Sequence, residues 1–161
     1  MERIDIVNEE DLVIGDASYE EVYRQGLPHR IVHVLIFNDA GEMAIQLRSK
    51  QKTFCPEHWS TAVGGHVQSG ETYMEAAHRE FKEELGVHTD LVFIRKDRYV
   101  TGTGQIKFVA TFATIYNGPF KPNSEEVADV RYVSRKELQS MLVIGEKFHP
   151  ELLFLLQDFK R

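Results

Sequence analysis

Glu71, Arg79, Glu80, Glu83 and Glu84 crowd into the string GHVQSGETYMEAAHREFKEELGV, which runs from Gly65 to Val87. On a helix of 3.6 residues per turn, Glu80, Glu83 and Glu84 fall at roughly 0°, 300° and 40°, so three carboxylates share one narrow face. Like charges at that spacing destabilise an isolated helix by about a few tenths of a kcal/mol. The cluster therefore implies a counter-cation, and hard oxygen ligands suit Mg²⁺ or Mn²⁺. Arg79 follows Glu71 by eight residues, and a pairing between them would fix the preceding loop against the helix.

The surrounding elements must hold this cluster in place. Met74, Ala77, Phe81 and Leu85 recur at steps of three and four, which predicts a helix over 72–85 with that face inward and Gly86 ending it. Gly64-Gly65 and Ser69-Gly70 bracket an expected turn where backbone could approach a ligand closely. Upstream, Ile4 to Val7 and Leu12 to Ile14 suggest a short hairpin, and Ser18 with Glu21 signals a helix toward Gln25. His29 to Asn38 and Glu42 to Ser49 read as a second hairpin, 51–58 as a loop, and Trp59 to Val63 as a short strand. Strands are expected at Leu91 to Val100, Gln105 to Tyr116 and Val127 to Val133. Ser134 with Glu137 caps a helix through Met141, and Pro150 opens a final helix from Glu151 to Lys160. Together these predict a mixed sheet with helices packed on it.

The run from Gly65 resembles the signature of the Nudix hydrolases. It shows a glycine, Glu71 after five residues, Arg79-Glu80 after seven more, then an apolar residue, Glu83-Glu84 and Gly86. The resemblance implies an α/β fold of the α/β/α sandwich type, one domain over 1–161, and water-driven cleavage of a phosphoanhydride. It also implies Glu80 and Glu84 as principal ligands of Mg²⁺ or Mn²⁺, with Glu83 a further ligand or the base. Arg79 would orient the cluster, and Glu126 in the loop before the last strand would be an additional candidate base. Arg48 and Lys52 are candidate phosphate contacts, the first bidentate and the second a point charge.

The flanks, with Leu27-Pro-His-Arg30, Gln46-Leu-Arg-Ser49 and Trp59, resemble the branch that includes isopentenyl-diphosphate isomerase. That isomerase is the alternative activity. It needs a cysteine before its Gly-His pair, whereas here Gly64 precedes Gly65-His66, and the run Tyr19 to Gln25 lacks the histidine expected there. A non-catalytic module that binds nucleotide or protein is the third possibility, and the intact acidic cluster argues against it.

A chain of 161 residues with 42% hydrophobic and 27% charged residues has the composition of one globular domain. The net charge of −6 disfavours long nucleic acids, while a small phosphorylated substrate, such as a nucleotide, is compatible once a cation inverts the local charge. The absence of a membrane-length apolar run or signal-peptide pattern, with the single Cys55, points to a cytoplasmic protein and no membrane partner. A homodimer is compatible with this. His29 and His33, about 13 Å apart on a strand, are expected to be structural, as is the 101–104 loop. Substrate choice is expected to lie in the loops 51–58, 101–104 and 117–123.

Overall fold

The computed structural model describes residues 2–157. The chain runs β1 (Arg3–Val7), β2 (Val13–Ser18), α1 (Tyr19–Gln25), β3 (His29–Phe37), β4 (Met43–Arg48), β5 (Trp59–Thr61) and β6 (Val63–His66). It continues through α2 (Tyr73–Leu85), β7 (Val92–Val100), β8 (Ile106–Ile115), β9 (Val127–Val133), α3 (Arg135–Val143) and α4 (Pro150–Leu156). The last helix was expected to reach Lys160, which lies outside the described residues.

β3 is the organising strand. It pairs in parallel with β8 along its whole length and antiparallel with β6 from Ile31 to Val34. Being covered on both faces, it is buried from Ile31 through Ile36 rather than at every other position, with His33 the one polar side chain in that stretch. Val32, Val34 and Ile36 face α2 through Ala77, Phe81 and Leu85. Leu35, with Met43, Ile45 and Trp59, meets Leu138 and Met141 of α3 and Leu152 and Leu156 of α4. Helices thus cover both faces of a mixed sheet, the α/β/α layering that was expected.

Three local expectations need correction. β3 and β4 were to form a hairpin, and the Asn38 to Gly41 turn does form, but the strands pair only at Phe37 and Met43 before diverging. Their hydrogen bonds go instead to β8 and β6, and to β5 and β9. Gly64 and Gly65 lie in β6 opposite His33 and Val32, not in a turn. Met74 was assigned inward and is 36% exposed; Ala76 is buried in its place.

The first hairpin is seated by one side chain. Asp11, in a left-handed conformation at φ 61°, accepts hydrogen bonds from Arg30 Nε (2.7 Å), Tyr73 Oη (2.7 Å) and Lys96 Nζ (2.8 Å). Those cations hold its carboxyl below the usual range against the cost of burial. Because Tyr73 is the first residue of α2, this clip ties the hairpin to the front of the acidic helix.

Candidate active site

The acidic helix is capped at both ends. Thr72 Oγ1 accepts from the Glu75 amide and the Glu75 carboxylate accepts from the Thr72 amide, a reciprocal capping box. Gly86 closes it at φ 68°, its amide donating to the Lys82 carbonyl. The buried arc includes two carboxylates, Glu80 (8% exposed) and Glu84 (5%), an uncommon location for ionisable groups.

Glu80 lies against the backbone of β6. A methyl group on Gly65 would sit 2.2 Å from Glu80 Cδ and 2.4 Å from Oε1, so only a residue without a side chain leaves room for that carboxylate. Burial pushes its carboxyl above the usual carboxylate range, opposed by Arg79. Glu84 is buried more deeply. Gln46 Nε2 donates to its Oε1 at 2.8 Å and to the Ala62 carbonyl at 2.7 Å. Its Oε2 is buried and has no hydrogen-bond partner among the described residues. Burial first, and then the neighbouring Glu80 charge, drive the Glu84 carboxyl well above its ordinary range.

Arg79 gathers the loop and helix. It donates to Glu71 from Nε (2.7 Å) and Nη2 (2.9 Å), to Glu80 from Nη1 (2.9 Å), and to the His66 carbonyl from Nη2 (2.9 Å). The expected pairing with Glu71 is therefore present and bidentate. Glu83 departs from the simple helical picture: it accepts from Arg79 at 3.2 Å and its side chain is half exposed, at 52%. Among the described residues no three acidic or metal-ligating side chains close on a single point. The same Arg79 Nη1 that donates to Glu80 also donates to Glu83, so the cation bridges the exposed carboxylate to the edge of the buried pair.

These residues border an open cleft of about 1030 Å³ that runs from Glu80 and Glu84 toward α4, with Glu125 and Glu126 on its rim. Arg48 and Lys52 line it. The Arg48 guanidinium is engaged with the 51–58 loop, donating to the Phe54 carbonyl at 2.9 Å and to Cys55 at 3.2 Å. Lys52 Nζ lies 4.0 Å from Glu126 Oε1. Burial raises the Cys55 thiol pKa, so it is no activated nucleophile. His33 is tied to Thr61 Oγ1 and Glu151, and His29 donates from Nδ1 to the Leu27 carbonyl, leaving both occupied in the scaffold.

Gln46, Lys107 and Glu151 also belong to this cleft and had no signal of their own as site residues. Gln46 contacts Glu84 across 38 residues, and Lys107 contacts Glu151 across 44. Local spacing carries no trace of such pairs.

Such a helix, glycine strand and cleft define a Nudix-type hydrolase site. The family model for the NUDIX domain matches residues 27–156, and the chain belongs to that family, as a hydrolase acting on pyrophosphate bonds. It is similar to the uncharacterised Nudix hydrolase PA4841 of Pseudomonas aeruginosa, 34% identical over 85% of this chain and 80% of the relative. It is also similar to the uncharacterised Nudix hydrolase YfcD of Escherichia coli, 33% identical over 94% of this chain and 83% of the relative. Among solved structures, DR0079 from Deinococcus radiodurans superposes with a TM-score of 0.82 at 28% identity, covering 99% of this chain and all of that one. The family acts on small phosphorylated substrates and generally uses divalent metals.

Proposed function

We propose that this protein hydrolyses the diphosphate link of a nucleoside diphosphate or a related nucleotide, with Mg²⁺ or Mn²⁺ held by Glu80 and Glu84. The observation that carries this reading is the buried, unpartnered Glu84 Oε2 beside the buried Glu80. A bare carboxylate there is costly, and a divalent cation would satisfy it. The oxygen-only donor set fits a hard cation, and Glu83 could complete it from the same helix. When bound, that cation supplies Lewis-acid stabilisation of charge developing on the phosphoryl oxygens.

The chain's own residues do the rest. Water attacks phosphorus, the bridging P–O bond breaks, and the water proton passes to a glutamate. Glu126 is the better placed acceptor, since it lines the cleft while Glu83 is held by Arg79. Arg79 fixes Glu80 and the Glu71 loop so that the carboxylates are preorganised. Arg48 shapes the 51–58 loop, and Lys52 brings a cation to the cleft for a phosphate. We take residues 1–161 as one domain working in the cytoplasm, with no long nucleic acid or membrane as partner and with a homodimer as its candidate assembly.

The flanking resemblance to the isomerase branch stays within this reading, because the position of the isomerase cysteine is Gly64. A methyl there would sit 3.0 Å from the His33 ring, so a side chain at this position would require that buried ring to shift by a few tenths of an ångström. The test is product release from nucleoside di- and triphosphates, nucleotide sugars, dinucleotides and isopentenyl diphosphate, with Mg²⁺, Mn²⁺ or chelator. Metal-dependent hydrolysis of a nucleotide supports the proposal; isomerised isopentenyl diphosphate, or binding without products, refutes it.

A further inference from the structure

The end of the cleft away from the acidic helix is built around a buried ion pair. Lys107, on β8, is 4% exposed and donates from Nζ to Glu151 Oε2 at 2.9 Å. The other oxygen of Glu151 is held by His33 Nε2 at 2.8 Å. Lys107 and Glu151 both line the cleft. Among the described residues Glu151 is the one hydrogen-bond acceptor for Lys107. An ammonium carries three N–H donors, so two remain in a place where water access is small. The Lys107 Nζ also lies 5.3 Å from the Tyr23 ring centroid, over its face.

A buried ion pair seldom stabilises a fold more than apolar side chains of the same volume. Its placement at the wall of a cleft instead suits a polar ligand. The neighbouring lining is aromatic and polar together: Tyr23, Tyr99, Gln105 and the Thr101 to Thr103 turn. Because the Lys107 charge is already matched by Glu151, this end carries no surplus cation for another phosphate. An alkyl tail would have to strip the pair of its remaining hydration with nothing returned. A heteroaromatic base with its ribose offers oxygen and nitrogen acceptors for the spare donors and a π-face for the tyrosines.

The register fixes the distance. Lys107 pairs with His29 on β3, and Gly65 pairs with Val32 on the opposite side of the same strand. Three residues along and two strands across place the two backbone positions roughly 14 Å apart. The phosphates can therefore lie at Glu80 and Glu84 while the remainder of the molecule reaches Lys107.

We propose that Lys107, oriented by Glu151, is the specificity-determining residue of a nucleoside subsite, which selects a polar heteroaromatic substrate against an isoprenoid one. This rests on the hydrolase reading above and adds which half of the cleft reads what.

The test compares cytidine, uridine, adenosine and guanosine 5′-diphosphates with dimethylallyl diphosphate, for the wild type, Lys107→Met and Lys107→Arg. Wild type should prefer at least one nucleoside diphosphate. Lys107→Met should raise its KM roughly 10- to 100-fold, with kcat changed by less than about threefold. The preference over dimethylallyl diphosphate should shrink by the same factor, and Lys107→Arg should recover part of it. If Lys107→Met does not fold by circular dichroism, Glu151→Gln is measured instead and should narrow the preference in the same way. A folded variant that keeps the wild-type preference overturns the proposal while leaving the hydrolase reading intact; a wild type that favours dimethylallyl diphosphate overturns the proposal and, with it, the nucleotide as the preferred substrate. If wild type hydrolyses none of the panel, nucleoside diphosphates fail as its substrates. Calorimetric binding of the same nucleoside diphosphates then decides this one: at least tenfold weaker binding by Lys107→Met supports it, and equal binding refutes it.

Discussion

Replacing Gly65 by alanine isolates the placement of one carboxylate from the stability of the fold. Gly65 sits in an ordinary strand conformation, so the backbone accepts alanine, whose preference of about 0.5–1 kcal/mol over glycine offsets part of the cost of moving the Glu80 side chain. The added methyl would nevertheless lie 2.2 Å from Glu80 Cδ, against the 3.4 Å at which ordinary contact begins, so the carboxylate must retreat by about 1.2 Å. A misplacement of that size at a reacting centre costs on the order of 100-fold in rate, or about 2.7 kcal/mol of transition-state stabilisation. The assay is kcat/KM for the best nucleotide substrate, alongside Tm by calorimetry. Gly102→Ala is the control, since a methyl there meets nothing within 4 Å. Gly65→Ala should lose about two orders of magnitude with Tm held within a few degrees, and Gly102→Ala should lose little. Activity of Gly65→Ala within threefold of wild type would refute the claim that Glu80 must occupy that spot.

Three further outcomes follow from the same geometry. Glu84→Gln removes a charge whose burial is uncompensated without a cation, so in chelator its Tm should exceed wild type; added Mg²⁺ should raise the wild-type Tm more than that of the variant. An unchanged or lower Tm in chelator would contradict the burial argument. Arg79→Ala leaves Glu71 and Glu80 without their shared cation and should cost about 3 kcal/mol, read as a Tm fall of roughly 6–12 °C for a chain of this size; a fall below two degrees would show the pairing to be weak. Burial also holds His29 neutral, with its pKa lowered to about 4. The unfolded chain then binds more protons between about pH 6.5 and 4, so stability falls as pH falls through that window. Between pH 7 and pH 5 the loss from this residue should be about 2 kcal/mol in urea unfolding. His29→Gln should flatten that slope, and an unaltered slope would reject the assignment.

What the sequence made legible was local. α2 could be placed because its apolar period and the closing Gly86 lie in one short stretch of consecutive positions, and the Glu71 and Arg79 pair lies only eight apart. The β3 and β4 turn was legible for the same reason. The partners those strands chose were not, because parallel pairing with β8 joins segments separated by a whole crossover that includes α2. Gly64 and Gly65 misled because glycine serves both turns and close approach, and only the positions of His33 beside Gly64 and Glu80 beside Gly65 distinguish the two. Glu83 shows a third limit. Helical angle gives the direction of a side chain, while the hydrogen-bond competition with Arg79 decides where its carboxylate rests. Gln46, Lys107 and Glu151 are invisible in one dimension, since each matters through a partner dozens of residues away.

The central claim is that Glu80 and Glu84 hold a divalent cation that the hydrolysis requires. Its most direct test is the release of phosphate, pyrophosphate or nucleoside monophosphate from the nucleotide panel by wild type and Glu84→Gln, across a Mg²⁺ titration. The account predicts metal-dependent release by wild type and at least a roughly 100-fold loss in the variant that saturating Mg²⁺ does not recover. Full turnover by Glu84→Gln at saturating Mg²⁺ would contradict it.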